Sequence, residues 1–407
     1  MTNIKYSLGI LTALFFLSTH SFAKTSSLQN LSTALNSTIE KALQEKRIVG
    51  TVILVAKDGK IIYESATGYA DREAKKTMTS DTVFRLASMS KPIVSLATLV
   101  LLDQGKLKLD DPITKWIPSF KPKLKNGDAP VITVRHLLTH TAGLTYGFFE
   151  AADGPYHKLK VSDGLDDVGI SMQENLKRLS EAPLLFAPGS AWQYSLATDV
   201  LGEVVAKAGG SSLPQVVQKT VTDPLKMKNT TFFASSPEQL AVPYADGKPE
   251  PVRMSDHYTL PFGSSAVIFS PGRALNKNAY PSGGGGMLGN AKDYLKFLET
   301  IRNNGKPLLK TATNRLLMTN QIGNMSTFIG AGWGWTLGAA LVKDSQAANT
   351  PQKSGTIAWG GVYGHSWWID PQEKLTVIIL TNTAIEGMSG AFPSEVRDTI
   401  YRRLPLK

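Results

Sequence analysis

Apolar residues return at Leu28, Leu31, Leu35, Ile39, Ala42 and Leu43. Steps of three and four put them on one stripe, and the pattern predicts an amphipathic helix over about 26–47, ending before Gly50. The next run, TVILVAKDGKIIYESATGYAD, reads as two strands joined by a turn at Asp58-Gly59. A helix containing Lys91 follows, with Pro92 tolerated in its first turn and Gly105 as its C-terminal cap.

From 106 to 282 the pattern breaks into short helical pieces (VRHLLTH, MQENLKRLS, LATDVLGEVVAKAGG, LPQVVQKTV) separated by Pro- and Gly-rich loops. The stretch 235–286 is dominated by loops, a common composition for binding-site walls. After SGGGGMLGNAKDYLKFLETI, whose glycines precede a helix, the segments AGWGWTLGAALV, TIAWGGVYGHSWWID and KLTVIILTNT are strand-like, with Asp370-Pro371 turning the last pair. A helix over about 393–404 closes the chain. No internal repeat is present. The expectation is an α+β protein in which 24–105 and 283–407 form one domain, with 106–282 inserted as a mainly helical lobe with long loops.

Composition narrows the setting. The chain has 407 residues, 42% of them hydrophobic, which is ordinary for a globular protein with a sizeable core. Residues 1–23 read as a signal peptide: Lys5, an apolar run from Leu8 to Leu17, then small residues ending at Ala23. That run is short of the ~20 residues that span a bilayer, so the expectation is an exported periplasmic or secreted protein with no integral membrane segment. Cysteine is absent, which excludes disulfides and thiolate chemistry. The histidines form no H-E-x-x-H pair, and neither a metal nor a cofactor is expected. The net charge of +11, or +10 without Lys5, is scattered rather than clustered, which argues against a nucleic-acid partner.

The candidate chemistry lies in FRLASMSKPIVSLATLVLLDQG, where Ser88 precedes Lys91 by three residues at a predicted helix start. One helical turn places both on one face. A helix N-terminus favours developing negative charge, and a desolvated lysine can lose enough basicity to accept a serine proton. The spacing alone is weak, since it recurs at Ser21 and Lys24 in the leader. The G-x-S-x-G elbow of many serine hydrolases is missing; GHSWW around Ser366 lacks the second glycine and reads as structural.

The flanking residues add more. VFRLASMSKPI resembles the nucleophile motif of the class C β-lactamase and penicillin-binding-protein superfamily, and is most similar to its family VIII carboxylesterases. RHLLTHTAGL, GSAWQYSLATDVLGEVV and PSGGGGMLG support the resemblance in order and separation, over essentially the whole chain after the leader. The resemblance implies a β-lactamase/DD-peptidase-like fold, an antiparallel sheet flanked by helices from both termini. It implies Ser88 as nucleophile, Lys91 and Tyr194 as its proton acceptors, with Tyr194 partly phenolate, and the backbone N–H groups of Ser88 and Val362 as oxyanion hole.

Two departures bear on substrate. The family's Tyr-x-Asn matches Tyr194 but has Leu196 for the asparagine, and Lys-Thr-Gly falls on Trp359-Gly360-Gly361. Losing those polar clamps disfavours substrates that need them. The expected activity is hydrolysis of small, uncharged, short-chain carboxylic esters through a serine acyl-enzyme. Alternatives are a β-lactamase or D-Ala-D-Ala peptidase, and a non-catalytic envelope-binding protein of the same fold. Trp359, Gly360, Gly361, Leu196, Tyr146 and Phe148 are the candidate substrate contacts, with Phe149 and Tyr156 as further wall aromatics. His140 reads as a turn residue, His365 as either near the site or on a solvent-facing strand, and glycines 283–286 as a tight backbone passage. The sequence leaves the oligomeric state open.

Overall fold

The stripe of leucines begins the architecture. The structure, a computed structural model, describes residues 28–262 and 265–404; the apolar leader over 1–23 lies outside them. Helix α1 spans 28–44 and is followed by strands β1 (Gly50–Lys57) and β2 (Lys60–Asp71). Between them Asp58 and Gly59 have φ of 53° and 78°. Two consecutive left-handed residues give the turn whose twist matches a hairpin.

The central sheet has eight strands, all antiparallel. With β3 (Lys76–Thr77), β4 (Trp333–Trp335), β5 (Ala340–Val342), β6 (Ile357–Gly361), β7 (His365–Asp370) and β8 (Leu375–Thr381), its order is β4-β5-β6-β7-β8-β1-β2-β3. β1 pairs with β8 from Thr51↔Thr381 to Lys57↔Leu375, so the two ends of the chain meet in mid-sheet. Alternation along β1 divides the core. Ile53 and Val55 pack with Leu31, Leu35 and Ile39 of α1 and with Phe392, Val396 and Ile400 of α5 (Ala391–Arg403). Val52 and Leu54 join the other core, which takes in α2 (Ser90–Asp103) and α4 (Ala291–Arg302).

Two predicted strands are in fact hairpins. AGWGWTLGAALV folds back on itself as β4 and β5, and TIAWGGVYGHSWWID as β6 and β7, with Gly364 at φ 113° in the second turn. The stretch 106–282 carries short helices, the longest being α3 (Ala197–Gly209), and a ribbon of Tyr258–Phe262 against Ser265–Phe269.

A candidate active site at the free edge of a strand

On its other side from β4, β5 pairs with just the first two residues of β6, Ile357 and Ala358. Beyond that point β6 is bonded on one side only, to β7, and its last residues border a cavity of about 410 Å³. Ser88, Tyr146, Phe148, Tyr194, Trp359, Gly360 and Val362 line it.

Ser88 does not open the helix, as its spacing predicts. It sits in a tight turn over Ala87–Met89, and α2 begins at Ser90. Ala87 has φ of 46°, an unfavourable conformation for a residue with a Cβ, and strain of this kind persists only where surroundings enforce it. The enforcement is visible. Leu86 N donates to Met287 O at 2.8 Å, Met287 N donates to Ser90 Oγ at 3.0 Å, and His365 Nε2 lies 2.8 Å from Arg85 O. A Cβ on Gly361 would stand 2.3 Å from Leu86 O, so only glycine lets the strand end approach the serine turn.

Lys91 is buried, with Nζ donating to Gly284 O at 2.7 Å and standing 3.2 Å from Ser88 Oγ. It lies 4.7 Å from the centroid of the Tyr194 ring and 5.2 Å from that of Tyr146. Desolvation lowers its pKa from 10.5 to about 7, opposed by Asp199 and Asp163. A neutral amine keeps a lone pair for the serine proton while an N–H holds Gly284 O.

Tyr194 is buried and differs from expectation. Burial pushes its phenol up, outweighing hydrogen bonding with Ser88 and Trp359, so the hydroxyl stays protonated and is no phenolate. Trp359 Nε1 donates to that hydroxyl at 3.3 Å, and the indole packs edge-on against Trp335 at 4.6 Å. The indole therefore holds the tyrosine as well as forming a wall.

Leu196 is misplaced by the motif reading. It is fully buried at the start of α3 and is not a cavity residue, so the missing asparagine leaves core packing where a polar clamp was expected. Gly361 supports the site from behind, as described, while Gly360 borders the cavity. Tyr146 stacks on Phe148 at 4.6 Å, and both lie in the cavity wall with Phe149. Tyr156 stands behind them, its hydroxyl accepting from Thr145 N at 3.1 Å. His140, with φ of 55°, accepts from Ser195 N through Nδ1 at 3.2 Å and so fixes the turn after Tyr194. His136, four residues earlier, instead accepts from Thr133 N as a helix cap. His365 is buried rather than facing solvent, and its pKa falls to about 4 through desolvation.

Several contributors receive no chemical role from the motifs. Gly284 O holds Lys91, and a Cβ on Gly284 would fall 2.3 Å from Asp199 Oδ2. Asp163 and Phe328 line the cavity from loops, and Phe262 and Trp333 from strand ends, none of them at a recognisable spacing from the serine. Ser366, read as structural, borders the cavity on the sheet face that packs against α5.

The fold is that of the β-lactamase-like serine hydrolases, and residues 35–397 match the β-lactamase family, to which the chain belongs. It is 48% identical over 377 residues to "Esterase EstB" of Burkholderia gladioli, covering 92% of this chain and 96% of that one. Among solved structures it is similar to "EstCE1, a hydrolase with promiscuous acyltransferase activity", with TM-score 0.90, 45% identity, and coverage of 92% and 99% of the two chains. Penicillin-binding protein 4* of Bacillus subtilis is 32% identical over 229 residues, covering 55% of this chain and 47% of that one.

Proposed function

We propose that the protein is a serine carboxylesterase in which Ser88, Lys91 and Tyr194 carry the reaction. The observation that carries this is Lys91 Nζ, with a pKa of about 7, standing 3.2 Å from the Oγ of Ser88, which lines the aromatic-rich cavity. Ser88 Oγ attacks the ester carbonyl carbon while neutral Lys91 takes its proton. The N–H groups of Ser88 and Val362 hold the oxyanion; losing one such donor costs about 3 kcal/mol of transition-state stabilisation. The C–O bond to the alcohol breaks, and the alkoxide takes a proton through the Tyr194 hydroxyl, which Lys91 replenishes. Water then attacks the acyl-enzyme, its proton following the same route back, and Ser88 is restored. Relatives in sequence and in structure carry the names esterase and hydrolase, which supports this chemistry.

Trp359 stands where a β-lactamase or peptidase has a cation for the substrate carboxylate, and the cavity wall is rich in aromatic rings; both favour small esters with short acyl chains over β-lactams and peptides. The intact Ser88–Lys91–Tyr194 set speaks against a non-catalytic binding role. The leader supports export to a periplasm or beyond. The test compares initial rates on a short-chain nitrophenyl ester and a chromogenic cephalosporin, in wild type and Ser88→Ala. A Ser88-dependent ester rate far above the cephalosporin rate is expected; comparable or reversed rates would return the β-lactamase reading to the lead.

A further inference from the structure

Asp163 lines the same cavity, and beyond its field at Lys91 the ester chemistry above gives it no task. Its Oδ1 accepts from Gly147 N at 3.0 Å, with a weaker bond from the Phe148 amide, which fixes the carboxyl beside the turn carrying Phe148 and Phe149. Among the described residues no lysine or arginine forms an ion pair with it. Desolvation raises its pKa to about 7, helped by Asp166 and Asp199 and opposed by the Gly147 and Phe148 amides. An ionised carboxylate in such surroundings is costly without a cation. The cations in reach of the cavity are otherwise engaged. Lys91 is held by Gly284 O beneath two tyrosine rings, and Arg397, on α5, is bonded to Asp398 at 2.8 Å.

Tyr146, Phe148, Phe149, Phe262 and Phe328 line the same cavity, and Tyr146 and Phe148 are the rings beside this carboxyl. Phe148 meets Phe149 at 4.7 Å and Phe262 at 5.6 Å, so the rings form a continuous wall. Aromatic faces carry negative potential, and several of them with one carboxylate make a receptor for an ammonium group.

We propose that Asp163 and this aromatic wall make the enzyme select esters whose acyl or alcohol part carries an ammonium group, over neutral or anionic esters of the same shape. The inference rests on the esterase reading, and it places a repelling charge against the carboxylate of β-lactams.

Two isosteric pairs test it at about pH 8, where Asp163 is ionised. For the alcohol side, acetylcholine is compared with 3,3-dimethylbutyl acetate. For the acyl side, the nitrophenyl ester of 4-trimethylammoniobutyrate is compared with that of 5,5-dimethylhexanoate. In at least one pair kcat/KM should favour the cation by about tenfold or more, and Asp163→Asn, which keeps the oxygen facing Gly147 N, should remove most of that preference. Tetramethylammonium gives a second measurement that needs no variant: it should inhibit the neutral ester competitively, and more tightly at about pH 8 than at pH 6. A smaller preference in both pairs, a preference untouched by Asp163→Asn, or inhibition that ignores pH overturns the proposal. Ser88-dependent turnover of the neutral members reports on the esterase reading separately, so turnover without cation preference sinks this inference alone.

Discussion

Acid should silence this site by protonating Lys91. The amine is buried beneath the Tyr146 and Tyr194 rings, and desolvation, only partly offset by Asp199 and Asp163, brings its pKa to about 7. Once protonated, Nζ has no lone pair for the Ser88 proton. About half the enzyme is then competent at pH 7, about a tenth at pH 6 and about a hundredth at pH 5. kcat/KM for a neutral ester should therefore fall about tenfold per unit below pH 7. Asp163 titrates in the same range and each group feels the other, so the acid limb belongs to the pair. Asp163→Asn removes a carboxylate that favours the charged amine, which then releases its proton more readily, and the limb should move to lower pH. The assay is initial rates on a neutral nitrophenyl ester from about pH 5 to 9 at constant ionic strength, with circular dichroism to confirm that both proteins stay folded. A profile flat down to pH 5 would refute neutral Lys91 as the base. A limb that moved upward in Asp163→Asn would refute the electrostatic argument.

Other consequences follow from single contacts. Trp359→Phe keeps a ring beside Trp335 but deletes the 3.3 Å bond to Tyr194, and kcat should drop about three- to tenfold; Trp359→Ala should also raise KM, and unchanged constants in both would remove Trp359 from the site. Gly361→Ala would force a Cβ against Leu86 O, so turnover should be lost together with about 1–3 kcal/mol of stability, read by denaturant titration. Leu35→Ala empties a fully buried position between α1 and the sheet; about 2–5 kcal/mol of stability should go, while KM of the folded enzyme stays put.

Much of the frame could be read from local pattern. The stripe of α1, the Asp58-Gly59 hairpin and the apolar run of β8 are each settled by neighbours in sequence, and the structure places them as expected. The hairpins at β4–β5 and β6–β7 do not stand out because their turns, Thr336–Ala339 and Val362–Gly364, are short and lie inside runs dense in glycine, apolar and aromatic residues. Ser88 was displaced by one turn because spacing cannot reveal a strained residue such as Ala87, whose conformation is imposed from Met287, His365 and Gly361. Leu196 shows the opposite limit. A motif column says which residue aligns, but only packing decides whether it meets the cavity or the core. Lys91's environment is likewise tertiary: Gly284 lies 193 positions away, and neither Asp163 nor Asp199 shares a motif spacing with it.

Acylation of Ser88 with Lys91 as its base is the step on which the proposed function depends. Its most direct test is intact-protein mass spectrometry after rapid mixing with a nitrophenyl ester and acid quench, with peptide mapping. One added acyl group on Ser88 is expected, formed in a burst, absent from Ser88→Ala and strongly slowed in Lys91→Met. An acyl group on another residue, or a Lys91→Met enzyme that acylates Ser88 at the wild-type rate, would contradict it.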